Sequence, residues 1–235
     1  MIKKVDTLPS IPVSSMSLAK IYAQKRAFSD SPLENNFWVQ TDDSDKITAV
    51  ISEDIGSMNL YCDGADYGEL YDFLSVLRPS VIFTEYENAL PLKIKCERVR
   101  NMLTVKSIKT ESLVEDFTLQ QLYDRLNSGC DVDIHLPPFE AFAPDVSHRL
   151  RHGGAVAVTR EYGAALAFLY DGGGVMSGIA LSPEFRGKGL GKSLLRDLLA
   201  NIDGDFFVAA NDVNKNFYLR NGFTLSGSVC FGKME

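Results

Sequence analysis

Histidine, tryptophan and basic charge are scarce in this sequence, and long apolar runs are missing. Its 235 residues include three histidines and one tryptophan, with 24 Lys plus Arg against 31 Asp plus Glu for a net charge of -7. A surface that grips a phosphate backbone relies on clustered cations in a basic domain, so this deficit argues against a nucleic-acid partner. An acidic body suits a neutral or cationic small substrate better, although moderate net charge speaks mainly to solubility. No run approaches the ~18 apolar residues of a membrane span. The opening MIKKVDTLPSIPVSS also lacks the apolar core of a secretory signal. The expectation is a cytoplasmic protein with no membrane partner, as a monomer or homodimer.

The four cysteines, Cys62, Cys96, Cys130 and Cys230, form no C-x-x-C pair and have no histidine at finger spacing. They read as reduced, mostly buried thiols. His148 and His152 share an i, i+4 spacing, but no glutamate completes an H-E-x-x-H pattern and Arg149 and Arg151 stand beside them. A resident metal is not expected.

What is present is 45% apolar residues, ample for real cores, in an alternation of strand and helix signals that predicts an α/β fold. From Gly153 onward, GAVAVT and GAALAFLYDG read as strands joined by a polar REY turn, and GVMSGIALSP as a third. Leu190, Leu194, Leu195, Leu198 and Leu199 then recur at i, i+4, i+5, i+8 and i+9, one apolar stripe of a helix running to about Ile202. DFFVAAN reads as a buried strand, VNKNFYLRNG as a short helix closed by Gly222, and FTLSGSVCFG as a hairpin-like stretch. Upstream, VEDFTLQQLYDRLNSG has helical spacing, IHLPPFEAFAP reads as an aromatic loop able to close over a site, and Asp145 starts another short helix. In the first hundred residues, NFWVQT, KITAVISED, GSMNLYCDG, YGELYDFLSVL and SVIFTEY give strand, strand, strand, helix, strand. The same order in both halves predicts a tandem of related α/β units, 1–110 and 111–235. Trp38, in the first of these strands, reads as core.

The segment LSPEFRGKGLGKSLL, between a strand and a helix, is a ready anion site, since first-turn N–H groups lack intrahelical acceptors and the helix dipole adds positive potential. Spacing separates three phosphate-binding patterns. A P-loop needs glycine where Arg186 stands, and a dinucleotide fingerprint needs its third glycine at Lys192. The pattern R/Q-x-x-G-x-G/A fits at every fixed position from Arg186 through Gly187, Lys188, Gly189 and Leu190 to Gly191. At this point the sequence resembles the GNAT superfamily of N-acyltransferases. A second block strengthens the resemblance: Asn211, Phe217, Tyr218, Gly222 and Phe223 match N-x-x-A-x-x-L-Y-x-x-x-G-F, with Asn214 in place of the alanine.

The resemblance covers roughly residues 112–235 and implies a GNAT-like mixed sheet, a degenerate first unit and acetyl-CoA as cosubstrate. It implies that amides of Gly187 to Lys192 cradle the pyrophosphate, with Arg186 and Lys188 or Lys192 adding charge. Ile179, Ala180 and Leu181 would line the pantetheine arm, the Leu181 N–H would face the thioester oxygen, and Asn211 would complete the cofactor set. Tyr218 matches the general acid. The glutamate that many relatives carry on the preceding strand is absent, its places taken by Val175 and Ser177, which leaves Glu140 and Asp145 as candidate bases. In the first half the corresponding loop, CDGADYGEL, carries Asp63 and Asp66 and no arginine, so one cofactor site per chain is expected. The resulting expectation is acetyl transfer to a primary amine of a small molecule or peptide. The alternative is an acyl-CoA-binding regulatory or interaction module that has lost turnover, and a nucleotide-dependent kinase is a distant third.

Overall fold

A computed structural model describes residues 1–28, 36–54, 56–110, 116–129 and 136–235. The chain forms two compact units, one of Met1–Thr104 with Phe207–Glu235 and one of Val105–Phe206. The chain from Phe207 to its end thus packs with the amino-terminal unit, where the sequence division at 110/111 assigns it to the other half.

In the first unit the strands lie in the order β1 (Ile2–Val5), β2 (Asn36–Thr41), β3 (Ile47–Asp54), β4 (Ser57–Cys62), β5 (Val81–Glu85), β11 (Thr224–Met234) and β6 (Ile94–Ser107). β4 and β5 run parallel and the other registered pairs antiparallel, so the sheet is mixed. Period-2 alternation sends Phe37, Val39 and Val50 into one core with Leu18 and Ile21 of helix α1 (Met16–Phe28). Ile51, Leu60 and Ile82 enter another core with Leu70 and Leu74 of helix α2 (Tyr67–Leu77). Trp38 packs edge-on against Phe73 of α2, with centroids 5.5 Å apart. α2 starts at an Asp66 cap and ends where Arg78 turns left-handed at φ 49°, a common way for a helix to stop.

The second unit holds β7 (Ala155–Arg160), β8 (Gly163–Tyr170) and β9 (Gly173–Leu181) as an antiparallel meander. Helices α3 (Leu119–Gly129) and α4 (Phe139–Arg151) contribute Leu122, Leu126, Phe142 and Val146 to a core with Ala155, Ala164, Leu166 and Ala180. Helix α5 (Leu190–Leu199) buries Leu194, Leu195 and Leu198. β10 (Gly204–Ala210) leads from this unit into the first, where α6 (Asp212–Arg220) follows. The order helix, three strands, helix, strand therefore occurs twice, as α1-β2-β3-β4-α2-β5 and α4-β7-β8-β9-α5-β10.

Three expectations change and two elements are new. The aromatic stretch after residue 138 is helix: α4 begins at Phe139 and includes Pro144, because Phe142, Val146 and Arg149 supply a buried stripe along it. The FTLSGSVCFG stretch is one strand and not a hairpin, since Gly227 (φ 148°) marks a bulge in the pairing with β6 and does not turn the chain; an extra residue of this kind bends a strand without reversing it. The long strand β6 and helix α1 escape sequence reading, the first because Lys95, Glu97 and Arg98 make it look like a charged loop. Finally, Cys96 and Cys230 are joined in a disulfide, not reduced: neighbouring strands β6 and β11 bring their Cα atoms to 5.7 Å across a sequence separation of 134. Cys62 is a thiol whose pKa is pushed well up by burial and then by the Glu85 and Glu87 carboxylates. Cys130 lies outside the described residues.

The disulfide ties together the two chain segments that build the first unit, closing a loop that contains all of the second. Its removal in Cys96→Ser/Cys230→Ser should cost stability, up to the ~5 kcal/mol that a loop of this length withholds from the unfolded chain. Guanidinium unfolding of the two forms measures the loss. A non-reduced digest should contain the Cys96–Cys230 cross-linked peptide, and its absence would remove the tie.

Candidate functional site

The junction after β9 is built for a turn that leaves backbone donors open. A short 3-10 turn over Pro183–Phe185 follows Ser182, closed by Phe185 N–H to Ser182 O (2.9 Å) and Arg186 N–H to Pro183 O (3.2 Å). Gly187 (φ 75°) and Gly189 (φ 78°) are left-handed, and a Cβ at either would meet nothing within 4 Å. Glycine is required there by the backbone and not by crowding. Gly189 is the cap residue of α5 and offers no side-chain acceptor. The Lys192 N–H turns back to Gly189 O (3.2 Å). The Leu190 and Gly191 N–H groups, as first-turn donors, have no acceptor within the helix. Lys188 lies over the Phe185 ring (5.3 Å). No acidic residue occupies the first turn of α5, so the end of the dipole is not neutralised from within.

Of the other sequence-assigned residues of this unit, Leu181 and Arg186 are brought into contact. Along β9, Ala180 is buried in the α3/α4 core while Ile179 and Leu181 are half-buried. The register with β8 slips between Leu166 and Ala167, leaving exposed Ser177 as the extra residue and Val175 buried. The Arg186 guanidinium bonds two backbone carbonyls, Leu181 O (3.3 Å) and Gly129 O (3.0 Å). Sequence reasoning missed this fork, because 57 residues separate Gly129 from Arg186. Of the candidate bases, Asp145 accepts a 2.8 Å bond from Arg149, itself buried over Phe168, whereas Glu140 is exposed in the first turn of α4. His148 and His152 stack on each other at 4.3 Å. Among the described residues no three His, Cys, Asp or Glu side chains gather as metal ligands would.

Asn211 and Tyr218 belong to the first unit. Asn211 caps α6, its side chain accepting from the Asn214 N–H (2.8 Å), the usual role of an asparagine at a helix start. Tyr218 is 5% exposed, set edge-on between Phe217 (5.1 Å) and Phe223 (5.3 Å). Burial pushes its phenol pKa well above the ordinary value, so the group is protonated throughout the physiological range.

The corresponding helix start in the first unit is closed. The Asp66 carboxylate accepts from the Gly68 (2.9 Å) and Glu69 (3.1 Å) N–H groups, filling the position that α5 leaves open. Gln40 holds the loop by donating to Asp66 O (3.0 Å) and accepting from Asp66 N–H (2.9 Å), and it also donates to Glu69 (2.8 Å). An anion approaching α2 would have to displace a built-in carboxylate.

Strand, glycine turn and uncapped helix together leave backbone N–H donors open at the start of α5. Residues 151–225 match the model of the acetyltransferase (GNAT) domain. The fold resembles a GCN5-related N-acetyltransferase from Sphaerobacter thermophilus at 12% identity, with 98% of this chain and 94% of that one covered and a TM-score of 0.54. It also resembles a GNAT-family acetyltransferase from Colwellia psychrerythraea at 13% identity over 100% of both chains, TM-score 0.51. The comparison with curated proteins returned no match. Over residues 151–225 the chain is similar to the GNAT acetyltransferase domain, and it shares the fold of these two solved structures.

Glu69 links the closed loop of the first unit to the chain start. Burial raises its pKa, but bonds from Gln40, the Ile2 N–H and the Met1 ammonium outweigh that and hold it below the usual carboxylate range. A lowered folded-state pKa means stability present above the unfolded value of about 4.3 and lost as pH falls through the folded value. Glu69→Gln should therefore cost about 0.5–1 kcal/mol at pH 7, and the difference from the parent should be smaller at pH 3. Denaturant midpoints at the two pH values test the sign.

Proposed function

We propose that this chain is an N-acetyltransferase that moves an acetyl group from acetyl-CoA to a primary amine of a small molecule or peptide in the cytoplasm. The observation that carries the reading is the uncapped start of α5 behind two left-handed glycines, inside a matched GNAT domain. The fit is favourable on the structure's own terms. Amides of Gly187 to Lys192 would hold the pyrophosphate, with Lys188 and Lys192 adding charge, and Ile179, Ala180 and Leu181 would line the pantetheine arm. Acetyl-CoA supplies an activated acetyl thioester. The Leu181 N–H is the donor toward the carbonyl oxygen, lowering the cost of charge that develops there. Tyr218, kept protonated by burial, is the general acid for the departing sulfur, as the motif around it supports. The acceptor amine, with a pKa of about 10.4, must lose its proton before attack, and Glu140 or a water chain takes it. The capped start of α2 supports one cofactor per chain.

The second reading, a CoA-binding module without turnover, is favoured by Val175 and Ser177 where a strand glutamate would stand and by the Asp145–Arg149 pair. Free-thiol release with a panel of primary amines separates the two.

Acetyl-CoA should bind by calorimetry at one site per chain, and Gly189→Glu should abolish binding by forcing an anionic side chain into the left-handed position. Unchanged affinity would sink the loop assignment. Tyr218→Phe should lower kcat by roughly 10²-fold or more while moving the acetyl-CoA affinity little; equal kcat in steady-state assays would remove Tyr218 from the acid role.

A further inference from the structure

We propose that Arg186 is a positioning residue for Leu181 and not a ligand of the pyrophosphate. The inference rests on the reading above for its consequence, but not for its geometry.

The last residue of α3 meets the end of β9 at unusually close range. A Cβ on Gly129 would lie 2.6 Å from Leu181 O, 2.8 Å from Ala180 Cβ and 2.9 Å from Leu181 N. Only glycine permits this approach. The contact also brings two backbone carbonyls to one spot, and the Gly129 carbonyl, at a helix C-terminus, has no partner within its helix. The Arg186 fork meets both needs at once. Its Nε donates to Leu181 O (3.3 Å) and a terminal nitrogen donates to Gly129 O (3.0 Å). A cation there also complements the negative end of the α3 dipole. A planar, multiply donating guanidinium can bridge two fixed carbonyls in this way, and a lysine ammonium lacks that fork.

The peptide after Leu181 is held from both sides. Its carbonyl accepts from Arg186, and its N–H, on Ser182, donates to Tyr162 O at 3.0 Å. Arg186 therefore fixes the backbone exit of β9 next to the N–H that faces the thioester carbonyl in the proposed reaction. With two of its five N–H groups on these carbonyls and its plane held between α3 and β9, Arg186 is turned toward the backbone, and the charge at the pyrophosphate is assigned to Lys188, Lys192 and the loop amides.

Three measurements on the parent, Arg186→Lys, Arg186→Met and Gly129→Ala distinguish positioning from phosphate binding. Hydrogen exchange of the 181–186 backbone in the ligand-free protein should rise in all three variants. Affinity for CoA, by calorimetry, should change by less than about threefold, as a missing phosphate contact would not allow. With acetyl-CoA and with S-acetylpantetheine, which has no pyrophosphate, kcat should fall by the same factor, on the order of tenfold or more. If Arg186→Met fails to fold, Arg186→Lys, which keeps the charge and loses the fork, carries the test. The proposal is overturned if CoA affinity falls tenfold or more with exchange unchanged, or if the rate loss is confined to acetyl-CoA. A parent protein that releases no thiol with either donor refutes the acetyltransferase reading instead, and exchange with CoA affinity still decides the role of Arg186.

Discussion

The first turn of every helix presents N–H groups that something must satisfy, and this requirement organises both halves of the chain. At α2 the requirement is met from within, by the Asp66 carboxylate. At α6 it is met by Asn211, and at α4 the chain enters through Pro138, with Glu140 supplying negative charge to the first turn. α5 has neither a capping side chain nor an acidic residue at its start. Two glycines on left-handed backbone form the turn that leads into those donors, and the strand before them ends in a peptide held at both its carbonyl and its N–H. A helix start left unfinished in this way has a favourable interaction in reserve for an anion.

The two units repeat an order of elements but not a chemistry, and the difference lies in a few side chains. Where the second unit has Gly189, the first has Asp66, tied by Gln40 and Glu69 into a local network. The network converts a potential binding loop into a structural joint, and its carboxylates supply the charge that a pyrophosphate would otherwise bring. Glu85 does the same for α1 by accepting from the Ser17 N–H (3.1 Å) and hydroxyl (2.6 Å). The same side chains that give this loop its local order close its helix start to an anion.

Much of the frame is legible along the chain because the burial pattern is simple. Helices α2 and α5 have one period and one buried face, β8 is a continuous apolar run buried on both sides, and the bounds of these elements follow from glycines, Pro183 and the Asp66 cap. Legibility fails where a second constraint competes with the period. α1 buries Ser17 and Gln24 along with its apolar residues, which blurs the stripe. β6 carries charges on its exposed positions, and α4 contains a proline that reads as a break. The glycine loop itself is fully local and is readable residue by residue. The Arg186 fork and the Cys96–Cys230 tie are not, because each joins groups that only the sheet and helix packing bring within reach.

The same physics bears on the proposed acid. A phenol with a pKa of about 10 gives its proton to a thiolate of pKa about 8.5 only uphill, by roughly 2 kcal/mol, and burial of Tyr218 would make this worse if it acted on the phenol alone. It does not act on one partner alone. Desolvation penalises whichever form is charged, so a sulfur that acquires charge in dry surroundings becomes more basic as well. The protein carries an example in Cys62, whose thiol is pushed up chiefly by burial. In the proposed reaction, matched desolvation of phenol and sulfur would keep the transfer near balance, and the raised pKa of Tyr218 keeps its phenol protonated. On this account the acid limb of the reaction is insensitive to pH across the physiological range, and pH dependence there belongs to the amine and its base.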